Sequence, residues 1–348
     1  VYQKISTKET KSNYAKASRL VGKRVMTRTE KLCILISVEN KEEETMTALW
    51  KGRLYTILGA ASWGLSGVCG QYLMQTVQIP ARIVVSIRML LAGLIMTTYL
   101  LARQRPQLKA LSQDKRSLVQ LVIFALFGIV LCQLTYLEAI GASNAGTATV
   151  LQYTSPILVI AYVSLKTRQA PTGQLLAAIG LAILGTALIA THGDITSLSL
   201  TPAGLSWGLV AAVGYALYTV LPADLLQRHN ATLVTGLGLL LGGASLFLAN
   251  QTWTYPIDWQ PLTILAMAGL VVVGTLLAYT LFLKGVALVG PMEASLLGAS
   301  EPISAVFFAF LLMSEHFYLI DLLGMVLIIA AVVWVSLHPK AAPHPVNN

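Results

Sequence analysis

Apolar stretches about twenty residues long, separated by short polar links, follow one another along this chain from residue 54 to residue 337. A helix that crosses a bilayer needs roughly 20 predominantly apolar residues. The pattern predicts ten such helices, at 54–75, 79–102, 117–138, 143–165, 173–191, 203–221, 231–249, 262–285, 289–313 and 318–337. Links such as 77–80 and 141–144 are only a few residues long and carry Pro or Gly, so neighbouring helices are expected to form antiparallel hairpins.

The ten helices read as two copies of five. From Tyr136 the chain runs Y-L-E-A-I-G-A-S-N-A-G-T-A-T-V-L-Q-Y-T-S-P to Pro156. A shift of 146 residues gives F-L-K-G-V-A-L-V-G-P-M-E-A-S-L-L-G-A-S-E-P, ending at Pro302. Leu137/Leu283, Ala148/Ala294, Leu151/Leu297, Pro156/Pro302 and Ile157/Ile303 coincide. An odd number of crossings inserts the second copy upside down relative to the first, and inverted repeats of this kind build transporters whose halves rock about a central site. The expected fold class is therefore all-α integral membrane, with ten transmembrane helices as two inverted five-helix repeats. Their expected bounds are 46–192 and 193–338, followed by a tail at 339–348.

Composition narrows the picture. Only 11% of residues are charged, where a soluble globular protein carries about 25%, and mean hydropathy is +0.70. Ten helices leave little room for a soluble domain between them, and no G-x-x-x-x-G-K-[ST] phosphate loop occurs. Lys and Arg mark cytoplasmic loops. They fill the link after the second helix (Arg103, Arg105, Lys109, Lys115, Arg116) and follow the fourth and sixth (Lys166, Arg168, Arg228). Lys51 and Arg53 precede the first helix, Lys284 ends the eighth and Lys340 follows the tenth, while the opposite side holds only Arg82. Both termini are thus expected in the cytoplasm. The net charge of +9 is accounted for by these loops and is no sign of nucleic-acid binding.

Residues 1–45 differ in character, with ten Lys/Arg, six Glu, no helical periodicity and no run long enough to span. They read either as a basic segment resting on anionic lipid or as sequence upstream of a start at Met46, untranslated or disordered. From Met46 onward fourteen Lys/Arg face nine Asp/Glu. Cys33, Cys69 and Cys132 show no paired spacing, and the five His residues form no metal-ligand motif. No metal and no cofactor are expected. Gly204-Leu205-Ser206-Trp207-Gly208 fits the G-x-S-x-G nucleophile elbow by letter. That elbow requires a strand–turn–helix setting, and here it opens an apolar helix.

Several features together resemble the EamA-type transporters of the drug/metabolite transporter superfamily. They are G-A-A-S-W-G at 59–64, a lone Arg88 within the second helix, Y-L-E-A-I-G-A-S-N-A-G at 136–146 and S-E-P-I-S-A at 300–305. Glu315 and a last helix containing Gly324 close the pattern, which covers about residues 48–338. The family's Gly-Glu pairs after the fourth and ninth helices are replaced here by Lys166-Thr167-Arg168 and Ser314-Glu315. The resemblance implies a secondary transporter of small organic solutes, with a central cavity lined by helices one, three, four, six, eight and nine.

Ionisable groups inside a membrane are costly and default to functional hypotheses. Glu301 falls near mid-membrane, beside a stripe of Gly290, Ala294 and Gly298 at four-residue spacing that permits close helix approach. It can bind a cation, carry a coupling proton, or be satisfied by backbone groups freed at Pro302. Arg88 can hold an anionic solute group or serve as an anchor or ion-pair partner. Glu138 reads as an external gate or as a solvated helix end. Trp63 aligns with Tyr215 under a 152-residue shift, and Gln133 with Tyr279 and Tyr136 with Phe282 under 146. With Tyr218, Gln152 and Tyr153, these are candidates for a cavity lining that stacks on and hydrogen-bonds a solute.

The functional expectation is a secondary transporter, importer or exporter, of a small metabolite such as an amino acid or amine across the bacterial cytoplasmic membrane. Its partners would be the solute, membrane lipid and a proton or other coupling ion, with no nucleic acid; the sequence leaves oligomeric state open. A membrane-embedded enzyme on lipid-linked substrates would need a convergent Asp/His or metal cluster that the sequence lacks. A non-transporting sensor or accessory subunit fits the same fold.

Overall fold

The computed structural model describes residues 28–142, 145–197, 201–313 and 318–337. Among these residues every regular element is helical and none is a strand. The first helix, α1 (Arg28–Gln71), extends far upstream of the expected start at 54. No Gly or Pro interrupts residues 28–51, so nothing local stops the helix there. The chain divides into two units at Trp50 and Lys51, and the second, Lys51–Asn348, holds every later helix.

Within that unit come α2 (Ala81–Arg103), α3 (Arg105–Gln113), α4 (Lys115–Ile123), α5 (Leu131–Ala142), α6 (Ala145–Gln152), α7 (Ser155–Thr167) and α8 (Gly173–Thr191). Then follow α9 (Pro202–Val220), α10 (Ala223–Arg228), α11 (Ala231–Ala249), α12 (Pro261–Val271), α13 (Ala278–Leu297), α14 (Ser300–Met313) and α15 (Leu319–Leu337). Among the described residues seven helical segments are long and apolar enough to cross a membrane, and two shorter apolar ones run over Ser300–Leu312 and Leu319–Val335.

The principal helix pairs are α2 with α11, α8 with α15, and α5 with α9. Small residues set their spacing. A Cβ on Gly185 of α8 would stand 2.6 Å from the Gly324 carbonyl oxygen of α15, and one on Gly324 would stand as close to that of Gly185. Without hydrophobic contrast against lipid, such close backbone approach is what drives helices together. Around this pair, Ile160, Ile179, Ala182, Ile189, Leu296, Ile328 and Ala331 form a buried apolar cluster.

Helix continuity departs from the sequence reading in two ways. Wide π turns occupy Phe124–Val130, between α4 and α5, and Val272–Leu277, between α12 and α13. Thr275 Oγ1 donates to the Leu270 carbonyl five residues back, at 2.9 Å. A π turn shifts the phase of every later side chain and is frequent at functional sites. The fourth and ninth apolar stretches are broken helices. The first breaks at Tyr153–Thr154 and the second at Gly298–Ala299, each just ahead of a proline, Pro156 or Pro302, that removes a backbone donor. A further break stands at Gly290, whose φ of 81° and ψ of 165° lie where only glycine is at ease, before Pro291. The stripe Gly290–Ala294–Gly298 is therefore not one continuous helix face. Gly290 is a kink and Gly298 closes α13, where a Cβ would stand 2.5 Å from the Tyr215 hydroxyl.

Candidate functional site: a cavity at one end of the helices

The helices enclose a cavity of about 570 Å³. Trp63, Tyr215, Tyr218 and Tyr279 line its deep end, and Met74, Ala81, His192 and Phe310 line its mouth. The mouth lies where α1 ends, α2 begins and α8 ends. Helix ends carrying Arg53, Arg103, Lys115 and Arg228 contribute nothing to the lining, so the opening is at the end away from the basic links. Helices two and five also contribute, through Val84, Arg88, Thr186 and Ile189, beyond the set the family resemblance implies.

The aromatic floor is built edge to face. The Trp63 ring lies 5.2 Å from Tyr279, 4.9 Å from Phe282 and 6.2 Å from Tyr218, centroid to centroid. Tyr218 in turn lies 5.6 Å from Tyr279 and 6.2 Å from Tyr215. Contacts of this geometry add about 0.5–1.5 kcal/mol each to simple burial and hold the rings in place. Phe282 is fully buried beneath Trp63 and supports the floor from outside the lining.

A polar chain rises from this floor. Arg88 donates through Nη2 to Gln133 Oε1, and Gln133 Nε2 donates to the Tyr279 hydroxyl. Because guanidinium can only donate, the amide orientation of Gln133 is fixed and both links run away from the cation. Tyr279 therefore keeps its own proton to give. No carboxylate pairs with Arg88 among the described residues, so the ion-pair expectation for this arginine gives way to a neutral partner. Arg88 Nε, Trp63 Nε1 and the hydroxyls of Tyr215 and Tyr218 are buried without hydrogen-bond partners.

Glu301 lines the cavity, and Tyr153 stands behind it rather than in the lining. The Tyr153 hydroxyl lies 2.8 Å from Glu301 Oε2 and 3.2 Å from the Gly298 carbonyl, which also accepts from the Glu301 amide at 3.0 Å across the break between α13 and α14. Tyr136 and Thr149 share a hydrogen bond at 2.9 Å across α5 and α6, and both line the cavity. Gln152 lines it as well, with its amide 3.8 Å from Cys132 Sγ. Glu138 is exposed and outside the lining, because it sits about 200° round the helix from Tyr136. That exposure is compatible with both of its readings, an external gate and a solvated helix end.

Three features are not legible in the sequence. His192, one of the scattered histidines, stands at the mouth with Nδ1 at 2.9 Å from Asp321 Oδ1, and the fully buried Asp321 also accepts from the Tyr318 amide at 3.0 Å. Arg53, by sequence a helix-end charge, is buried and bonds Glu293 Oε1 through Nε at 2.6 Å, next to the Gly290 kink. Third, the end opposite the mouth is tied by Arg228. Its Nη1 reaches Asp114 Oδ2 at 3.2 Å and Ser117 Oγ at 2.9 Å, and its Nη2 reaches Gln120. Hydrogen bonds from the Ser117 side chain and backbone hold the Asp114 carboxyl below the usual carboxylate range, with lesser help from Arg116 and Arg228. His229 Nε2 lies 2.9 Å from Ser117 Oγ. Burial, then the neighbouring Arg228 charge, lower its affinity for a proton against the opposing pull of Asp114. Ser206 of the elbow-like motif donates to the Pro202 carbonyl within α9 at 2.8 Å, as an ordinary helical serine. Glu315 lies outside the described residues.

Comparison with known proteins bears on this site. The model of the EamA-like transporter family matches the chain twice, over residues 50–191 and 202–337. The uncharacterized inner membrane transporter YicL of Salmonella typhimurium is 37% identical over 292 residues, which span 83% of this chain and 96% of that protein. An uncharacterized transporter of Archaeoglobus fulgidus is 27% identical over 226 residues, 65% of this chain and 78% of its own. A crystal structure of 15% sequence identity matches with a TM-score of 0.69, covering 84% of this chain and 96% of the other, and so shares the fold.

Proposed function

We propose a mode of action for this chain, which belongs to the EamA-like transporter family and is a multi-pass membrane transporter of a small-molecule solute. It is a secondary transporter of a small polar or amphipathic metabolite, such as an amino acid or amine, in a bacterial inner membrane. Ten crossings form two inverted repeats, 46–192 and 193–338, with both termini in the cytoplasm. The two family matches and the broken helices ahead of Pro156 and Pro302 support that topology. In this orientation the cavity faces outward, and the Arg53–Glu293 and Asp114–Arg228 contacts close the cytoplasmic end.

One observation carries the reading: a cavity, open at one end, with a cation (Arg88) and a carboxyl (Glu301) over an aromatic floor. Glu301 serves as the coupling group. Its side chain is within reach of the solute path, and Tyr153 orients it. A proton bound there from outside would be released inside once the halves rock, and the solute would follow or oppose it. The remaining lining residues, Trp63, Gln133, Tyr136, Gln152, Tyr215, Tyr218 and Tyr279, hold the solute. Flux of a radiolabelled metabolite panel in reconstituted vesicles tests the proposal. Uptake or exchange of at least one solute, dependent on a pH gradient, is expected; no flux across the panel would sink it.

A further inference from the structure

We infer that the cavity selects solutes bearing a carboxylate, which docks between Arg88, Trp63 and the tyrosines of the floor. The inference rests on the transporter reading and chooses within it, between an amino acid and an amine.

Hydrogen-bond accounting carries the argument. Buried polar atoms almost always have partners, and each exception calls for a reason. Five atoms of lining residues are exceptions: Thr186 Oγ1 and, on the cation and the aromatic residues, the four atoms Arg88 Nε, Trp63 Nε1, Tyr215 Oη and Tyr218 Oη. All four belong to residues lining the same cavity, and the rings of Trp63, Tyr218 and Tyr215 form a connected set. Tyr215 and Tyr218 are 5% and 2% exposed, so bulk water does not relieve their hydroxyls. The guanidinium and indole groups can only donate, and a hydroxyl donates as readily as it accepts. Tyr279 adds a fifth donor, because it accepts from Gln133 and keeps its own hydrogen.

The missing partner is thus an acceptor with several lone pairs and, opposite an arginine with no carboxylate in salt-bridge contact among the described residues, a negative charge. A carboxylate has two oxygens, about four lone-pair sites and the charge. An ammonium supplies none of these: it could donate to the two hydroxyls, but it would leave the Arg88 and Trp63 donors unpaired and would set a second cation beside the guanidinium. Leaving buried partners unpaired is how a polar site rejects the analogue that lacks the group. The aromatic faces beside the donors then receive the solute's apolar portion. The Glu301 side remains for a proton or for the solute's own ammonium.

Thermal unfolding of the purified full-length protein in detergent tests this with matched probes. One series is phenylalanine, phenylalaninamide and phenethylamine; the other is leucine, leucinamide and isoamylamine. At least one free acid is expected to raise the unfolding temperature, and its amide and amine to bind about tenfold more weakly or worse. Arg88→Gln is expected to abolish the difference between acid and amide. The wild-type comparison needs no variant, so a misfolded Arg88→Gln protein does not decide the matter. Amide or amine binding as tight as the acid, or no acid binding in either series, overturns the inference. Vesicle flux of the amines alone would overturn it while leaving the transporter reading intact. Binding of the acid without flux of any solute would leave the carboxylate rule and sink transport.

Discussion

Gln133 and Tyr279, equivalent positions under the 146-residue shift, are hydrogen-bonded to each other. In the proposed arrangement of two inverted repeats, a residue that touches its own repeat-mate would lie close to the axis relating the copies. In an inverted-repeat transporter that axis runs through the solute site, about which the halves rock. The pair is also the bridge from Arg88 to the aromatic floor.

Tyr153→Phe removes one hydroxyl that serves both Glu301 and the Gly298 carbonyl. A hydrogen bond to a carboxylate contributes about 1.5–3 kcal/mol, so gradient-driven transport is expected to fall roughly tenfold or more. Solute exchange at equal pH should fall far less, since the cavity lining is untouched. Initial rates of the two modes in vesicles give the ratio, and an equal loss in both would place Tyr153 in solute binding instead.

The Arg53–Glu293 pair is buried at both ends, 2% and 14% exposed. Removing one partner of such a pair strands the other charge and costs about 3–5 kcal/mol, while replacing both with apolar residues is close to neutral. Arg53→Met is therefore expected to lower stability sharply and the double variant with Glu293→Leu to recover most of it. Unfolding in denaturant measures both, and equal losses in single and double variants would show that the two side chains are not coupled.

His229 predicts a pH effect at the end away from the mouth. Burial first and Arg228 second depress its pKa below the ordinary 6.5, against Asp114. The unfolded chain then binds the proton more readily than the folded one, so stability is full above 6.5 and declines as pH falls through the lower folded value. Between about pH 7 and pH 5 the wild-type unfolding temperature should drop more steeply than that of His229→Gln. Parallel curves would remove His229 from the account.

Helix positions are largely readable because hydropathy records burial in lipid directly: the expected stretches 173–191 and 231–249 match Gly173–Thr191 and Ala231–Ala249. Interruptions inside helices are not readable. The π turns at Phe124–Val130 and Val272–Leu277 fall in uniformly apolar sequence, which hides a change of phase. The upstream reach of α1 escapes a hydropathy reading because polar helix formers carry no apolar period. Aligning repeat halves brings out Trp63, Gln133, Tyr215 and Tyr279, whereas Arg53–Glu293 and His192–Asp321 join residues with no repeat or motif relation. Tertiary pairing of that kind leaves no local signature. Phe282 and Tyr153, expected in the lining, stand behind the cavity wall, a distinction of side-chain direction that the sequence does not record.

Proton coupling through Glu301 is the claim on which the mechanism depends. A carrier must release and rebind its proton in each cycle, whereas solute exchange need not discharge it. Glu301→Gln keeps the size and much of the hydrogen bonding and removes the proton exchange. Its gradient-driven accumulation in vesicles, measured beside solute exchange at equal pH, tests the claim most directly. The account predicts accumulation abolished and exchange preserved. Accumulation at near wild-type rate would contradict it and leave Glu301 as a packing residue beside Pro302.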